Sequence, residues 1–246
     1  MVGYMTDYAR FGWTVLLPVK VLARAKSRLA VLAGERRHEL ALALASDTVC
    51  AVVACPEVAR VIVVTSDPVA GPRLAALGAH IIPETIGSPV ELSRELSRES
   101  ADGSQRALNA ALLQGAAVAA RRWPGTGLAA LTADLPALRP AELATALRAP
   151  GHGAPSAGLV LSAKFVPDAA GVGTTLYAAP PGAQFRPMFG GASRARHAAA
   201  GAAELALDGI DGLRQDVDTP DDLRAAVALG VGPRTAEVAA ELLADA

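Results

Sequence analysis

Apolar residues along the chain fall into two patterns that take turns. Short unbroken runs with β-branched members occur at 13–18 (WTVLLP), 60–66 (RVIVVTS) and 127–132 (GLAALT). A run of this kind reads as a strand buried on both faces, the usual condition in a parallel sheet. Between the runs the apolar positions move to helical spacing. Leu40, Leu44, Val49 and Val52 recur over 35–53, and Pro56 supplies a stop. A brief helix is expected at 74–77, a strand at 80–82, an alanine-rich helix at 108–122 and a helix from Pro140 to Leu147. Further strands are expected at 158–163, 174–179 and 204–207, a short helix at 193–200, and terminal helices from Pro220 and Pro233. Strand and helix alternate throughout, so the class is α/β with a mixed, mainly parallel sheet, and nothing divides residues 1–246 into separate domains. Residues 1–12 are expected to be flexible, 84–106 to be a polar, charge-rich surface excursion, and the Gly- and Pro-rich stretch 149–156 to be a loop.

Composition narrows the function classes. With 246 residues, 52% hydrophobic and 19% charged, the chain can bury a substantial core, which excludes wholesale disorder. Lys plus Arg is 23 against 24 Asp plus Glu, a formal net charge of -1, so no global field gathers nucleic acid or an anionic membrane. Aromatics are only 4% of residues, which leaves few platforms for stacking bases. Cys50 and Cys55 do not have the spacing of a zinc or redox pair and read as reduced core residues. Neither a signal pattern nor an apolar run of spanning length is visible, so the expected location is cytoplasmic.

Three constellations could carry chemistry. The chain uses arginine almost everywhere and has lysine only at 20, 26 and 164, with Lys20 and Lys26 in one basic stretch directly after the first expected strand. Fixed cations and backbone amides at a strand's carboxyl end suit a polyphosphate. Neither the G-x-x-x-x-G-K-[ST] nor the G-x-G-x-x-G pattern is present. The second constellation is Asp134, at the end of a central strand where open α/β sheets place ligands, together with Asp216 and Asp218. Two carboxylates two residues apart in extended backbone face one side, and oxygen ligands suit a hard cation such as Mg²⁺. Asp218 or Thr219 would also serve as the cap of the helix at Pro220. The third comprises the glycine-bearing turns PDAAGVGTT (167–175) and FRPMFGGAS (185–193), which could offer amides to a small anion or serve backbone geometry alone. His197, four past Ser193, is expected to pack or orient rather than act as a base.

In the order PVK…AKSRL, ADLPAL, PDAAGVGTT, FRPMFGGASRARH and DVDTPDDL, the chain resembles the phosphoenolpyruvate and 2-phospho-L-lactate guanylyltransferases of coenzyme F-420 biosynthesis. The matching blocks span 13–223, and the alanine- and arginine-rich composition resembles that of actinobacterial members, in which phosphoenolpyruvate is the usual substrate. The resemblance implies a single-domain, three-layer Rossmann-like nucleotidyltransferase fold of the nucleotide-diphospho-sugar transferase type. It implies that Lys20 and Lys26 hold the GTP phosphates and act in catalysis. Asp134, Asp216 and Asp218 would bind Mg²⁺, with Asp134 and Asn109 also on the nucleotide, and Thr174, Gly190 and Ser193 would hold phosphoenolpyruvate. Thr175 stands where the family commonly has Asn. A hand-off of product to a downstream transferase follows from the same resemblance, and the apolar helices would allow a homodimer. The same chemistry on 2-phospho-L-lactate or 3-phosphoglycerate, and a non-catalytic nucleotide sensor, remain as alternative readings.

Overall fold

The computed structural model describes residues 12–22, 26–84, 101–150 and 162–244. Seven strands form one sheet: β1 (Trp13–Pro18), β2 (Val58–Val64), β3 (His80–Ile82), β4 (Gly127–Leu131), β5 (Lys164–Pro167), β6 (Thr174–Ala179) and β7 (Ala203–Glu204), in the order β3-β2-β1-β4-β6-β5-β7. Strands β3, β2, β1 and β4 run parallel, and β5 is parallel to β7. Among the described strands only β6 is reversed, antiparallel to both β4 and β5. Its amino end therefore lies at the same edge of the sheet as the carboxyl ends of β1 and β4.

The helices are α1 (Ala30–Ala33), α2 (Arg37–Val53), α3 (Ala70–Ala75), α4 (Ala101–Arg122), α5 (Pro140–Arg148), α6 (Ser193–Ala199), α7 (Asp211–Arg214), α8 (Pro220–Leu229) and α9 (Pro233–Ala244). Alternation within β1 feeds two cores. Val15 and Leu17 pack with α2, α3, α5 and α7 on one face, and Leu16 packs with Ile62, Tyr177, Phe165 and α4 on the other. Helix α4 lies close to the sheet because residue 115 is glycine: a Cβ there would stand 3.1 Å from Val64 and 3.3 Å from Leu16. A third cluster joins α2 to α8 and α9 through Leu40, Leu44, Leu223 and Val238. Asp47 of α2 caps α9 from outside, accepting the Thr235 amide at 2.7 Å.

The strands at 13–18, 80–82 and 174–179 and the helices at Pro140, Pro220 and Pro233 stand where the hydrophobic pattern puts them. Other boundaries differ. Helix α4 begins at Ala101, so residues 101–106 are its first turns and not part of a surface excursion, while 85–100 and 1–11 lie outside the described residues. The strand expected at 158–163 begins instead at Lys164, residues 158–161 being outside the described set, and that expected at 204–207 is the two-residue β7. The loop at 149–156 likewise falls mostly outside it. Both cysteines are free, Cys55 buried and Cys50 half-buried.

Candidate active site

The basic stretch leaves β1 and is fixed from below. Val19 continues the pairing to Val64, and the Leu22 amide donates to Asp67 Oδ2 at 2.7 Å. Asp67 follows β2, and its other oxygen accepts the Val69 and Ala70 amides at 2.8 Å each, capping α3. Burial pushes this carboxyl upward, but the three amides outweigh it and hold it below the usual carboxylate range. One side chain thus ties the loop after β1 to the neighbouring strand.

Lys26 has φ 54 and ψ 44, and among the described residues it is the one non-glycine with positive φ. That conformation costs an L-residue roughly 1–2 kcal/mol, so the surroundings must enforce it. They include two carboxylates. Lys26 Nζ donates to Asp134 Oδ2 and, at 2.8 Å, to Asp218 Oδ1. Burial alone would lower this ammonium's pKa, but Asp134 and Asp218 overcome it and hold the group above the ordinary lysine range. Lys20 stands further out, its Nζ donating to Ser104 of α4 at 2.7 Å, while its charge and that of Arg28 help Lys26 to hold Asp218 below its normal pKa against burial. The third lysine is structural: Lys164 donates to the Leu147 carbonyl at 2.6 Å and to that of Ala149, closing the end of α5, and burial pushes its pKa down to about 8.

Asp134 and Asp218 share the Lys26 ammonium, and Asp216 lies near enough to both to feel their charge. The Val217 amide donates to the Asp134 carbonyl at 3.1 Å, and Val217 is wholly buried, so Asp216 and Asp218 flank a residue pinned to the end of β4. Capping falls to Thr219, whose hydroxyl accepts from the Asp222 amide. That frees Asp218 for the site. Burial first, then Asp134, Asp218 and Asp168, push the Asp216 carboxyl well above the usual range. Asp134 Oδ1 is buried without a hydrogen-bond partner. Mutually repelling carboxylates and an orphaned hard oxygen fit a divalent cation such as Mg²⁺. Among the described residues no three His, Cys, Asp or Glu are grouped so as to hold a metal ion as they stand; Lys26 stands between two of these carboxylates, so a cation entering there must displace it.

The second half of the site is built around β6. Asp168 folds the turn before it by accepting the Val172 amide at 2.9 Å and the Gly173 amide at 2.7 Å. Thr174 is buried, with Oγ1 3.0 Å from His197 Nδ1. Opposite it the loop 185–191 is held by side chains that include His197, Arg196 and Asn109, with the Tyr177 hydroxyl accepting the Arg186 amide at 3.4 Å. The Met188 amide donates to His197 Nε2 at 2.9 Å, Arg196 donates to the Met188 and Gly190 carbonyls, and Asn109 pairs with both backbone groups of Phe189 at 2.9 and 3.1 Å. The Asn109 amide, expected on the nucleotide, is thus engaged in anchoring this loop to α4. Gly190, at φ 97, lies against Gln105 of the same helix, where a Cβ would clash. Ser193 opens α6, buried, with Oγ unpartnered. Thr132 and Thr175 face each other across β4 and β6, the Thr132 amide bonded to the Thr175 carbonyl at 3.0 Å, and both hydroxyls are buried without partners. Such orphans are few in folded proteins, and here four lie along one edge of the sheet.

Sequence reading missed Asp67 and Arg196. The one available signal was Asp67 immediately before Pro68 at a strand end, a capping pattern.

Taken together, the described strands, mainly parallel with β6 reversed, form an α/β fold of the kind found in solved nucleotidyltransferases. A nucleotidyl transferase from Methanothermobacter thermautotroptrophicus superposes with TM-score 0.53 at 18% identity, covering 89% of this chain and 97% of that one. A protein of Desulfovibrio desulfuricans assigned to the nucleotide-diphospho-sugar transferases gives 0.52 at 14% identity, covering 88% and 96%. No family model matches the chain. Curated relatives do: the phosphoenolpyruvate guanylyltransferase of Thermomonospora curvata is 53% identical over 234 residues, 95% of this chain and 91% of that protein. That of Streptomyces coelicolor is 53% identical over 232 residues, 94% and 97%. The chain belongs to the phosphoenolpyruvate guanylyltransferase family.

Proposed function

We propose that this enzyme transfers GMP from GTP to phosphoenolpyruvate, releasing pyrophosphate and giving enolpyruvyl-diphospho-guanosine. The observation behind it is Lys26 set between Asp134 and Asp218, with the Thr174 and Gly190 turns at the same edge of the sheet, in a chain about half identical to relatives of that name. A phosphate oxygen of phosphoenolpyruvate attacks the α-phosphorus of GTP, and the bond from that phosphorus to the bridging oxygen of the β-phosphate breaks as pyrophosphate leaves. The attacking phosphate is already ionised near neutral pH, so no base is needed. Lys20 and Lys26 place positive charge on the nucleotide phosphates. Asp134, Asp216 and Asp218 would hold Mg²⁺, which when bound neutralises charge building on the transferring phosphoryl group. Thr174 and Ser193 bring hydroxyls, and the Gly190 turn brings backbone amides, to the acceptor's anionic groups.

Both substrates are water-soluble, and no described helix is long and apolar enough to cross a membrane; we place the enzyme in the cytoplasm, handing its product to a downstream transferase. The test is pyrophosphate release from GTP with Mg²⁺, comparing phosphoenolpyruvate, 2-phospho-L-lactate, 3-phosphoglycerate and no acceptor. Release that requires phosphoenolpyruvate is expected. Release with another acceptor alone reassigns the substrate, and GTP binding without release under any condition overturns the reading in favour of a sensor. In the same assay the Asp216→Ala, Asp218→Ala double variant should lose at least ~100-fold in kcat, and full activity would remove the carboxylates from the mechanism.

A further inference from the structure

His197 has no exposed surface and is enclosed by three aromatic rings: Tyr177 stacked at 4.7 Å, Phe189 edge-on at 5.5 Å and Phe165 at 5.6 Å. It nevertheless makes two directed polar contacts. The Met188 amide can only donate, so Nε2, 2.9 Å away, must be an acceptor with a free lone pair. Burial first, and the neighbouring Arg196 charge second, push the imidazole pKa down to about 4, so near neutral pH the ring carries one proton. With Nε2 accepting, that proton is on Nδ1. It is donated to Thr174 Oγ1, 3.0 Å away. A hydroxyl that accepts from histidine keeps its own proton for another partner, and among the described residues Thr174 Oγ1 has no other hydrogen bond.

We infer that His197 is a positioning residue for the acceptor: by fixing Thr174 Oγ1 as its hydrogen-bond acceptor and the Met188 amide as its donor, it turns the Thr174 hydroxyl proton outward to an anionic oxygen of the phosphorylated carboxylic acid. The same ring joins the strand that carries Thr174 to the loop that carries Gly190, so both halves of the acceptor site are set by one side chain. The orphaned Ser193 hydroxyl, one helical turn before His197 on α6, supplies a second donor of the same kind. The inference rests on assigning the Thr174 and Gly190 turns to the acceptor.

Amide side chains separate the two contacts. Asn places a donor near the position of Nδ1, whereas Gln places its acceptor near that of Nε2 and withdraws the donor from Thr174. His197→Gln should raise the KM for phosphoenolpyruvate at least tenfold while leaving the KM for GTP within twofold, and His197→Asn should recover part of the loss. In a Thr174→Val background His197→Gln should have no further effect on the acceptor KM. An acceptor KM unchanged in His197→Gln, equal changes in both KM values, or an undiminished effect in the Thr174→Val background would each overturn the inference. A direct readout needs no variant. Long-range ¹H–¹⁵N correlation spectra of the wild-type imidazole at pH 7 should show a protonated Nδ1 and an unprotonated Nε2, and the opposite tautomer or an imidazolium overturns the inference even if the variants fail to fold. Absence of turnover by the wild type with every acceptor counts against the proposed function alone, since the spectrum still judges the tautomer.

Discussion

At the residue scale Lys26 concentrates the most physical information. It accepts a left-handed backbone that glycine would adopt freely, and it does so where its ammonium meets two carboxylates. Conformational strain retained at such a point is expected where a side chain cannot be spared. Lys26→Gly should relieve roughly 1 kcal/mol of backbone strain yet leave Asp134 and Asp218 uncompensated, and it should lose at least ~100-fold in kcat with circular dichroism unchanged. A glycine variant of near-normal activity would show that the ion pair is not used in turnover. His197 sets a second prediction. The unfolded chain takes up its proton near pH 6.5, whereas the folded imidazole resists until about pH 4. Stability present above pH 6.5 is therefore lost as pH falls through that window, by about 3 kcal/mol from this group. Thermal melts of wild type and His197→Phe between pH 7 and 4 should diverge at neutral pH and converge on acidification.

At the element scale the loop 185–191, proposed to hold the acceptor, depends on a helix far away in sequence. Phe189 is bonded through its backbone to Asn109, and Gly190 touches Gln105 so closely that a methyl group cannot be inserted. Gly190→Ala is strained twice, by its φ of 97 and by Gln105, and should raise the acceptor KM at least tenfold with a smaller effect on GTP. If both KM values move together, the loop serves the whole site and not the acceptor half. These links also mark the limit of sequence reading. Periodicity finds α2 and β2 because their apolar positions repeat, but the first turns of α4, Ala101 to Arg106, are largely polar and give no stripe to follow. Strand β5 opens with lysine and closes with proline, and β7 has two residues, so neither imposes a pattern. Asn109 was visible as a residue but not as a clamp, since its partner lies 80 positions away.

At the scale of the whole molecule the charged residues of the candidate site were more legible than the parts that hold them. Lys20, Lys26, Asp134, Asp216 and Asp218 stand out because lysine is scarce and because an aspartate ends a central strand, and topology then brings four of them to one edge with Lys20 beside α4. The antiparallel β6 is what places Thr174 at that edge as well. Asp67 and Arg196 work by bonding backbone groups that no sequence pattern announces. Lys26, finally, would make the carboxylate edge of the proposed site a cation exchanger: a divalent ion would compete with the ammonium for Asp134 and Asp218, and the nucleotide's phosphates would offer the displaced ammonium a new anion. Nucleotide and metal should then strengthen each other's binding by the same factor, as linkage requires. Mn²⁺ affinity followed by electron paramagnetic resonance should rise at least tenfold when a non-hydrolysable GTP analogue is added, and Lys26→Met should bind Mn²⁺ more tightly in its absence. On that proposal the chain would be a salt of itself until substrate arrives, its Lys26 charge held by the carboxylates and then passed to the phosphates.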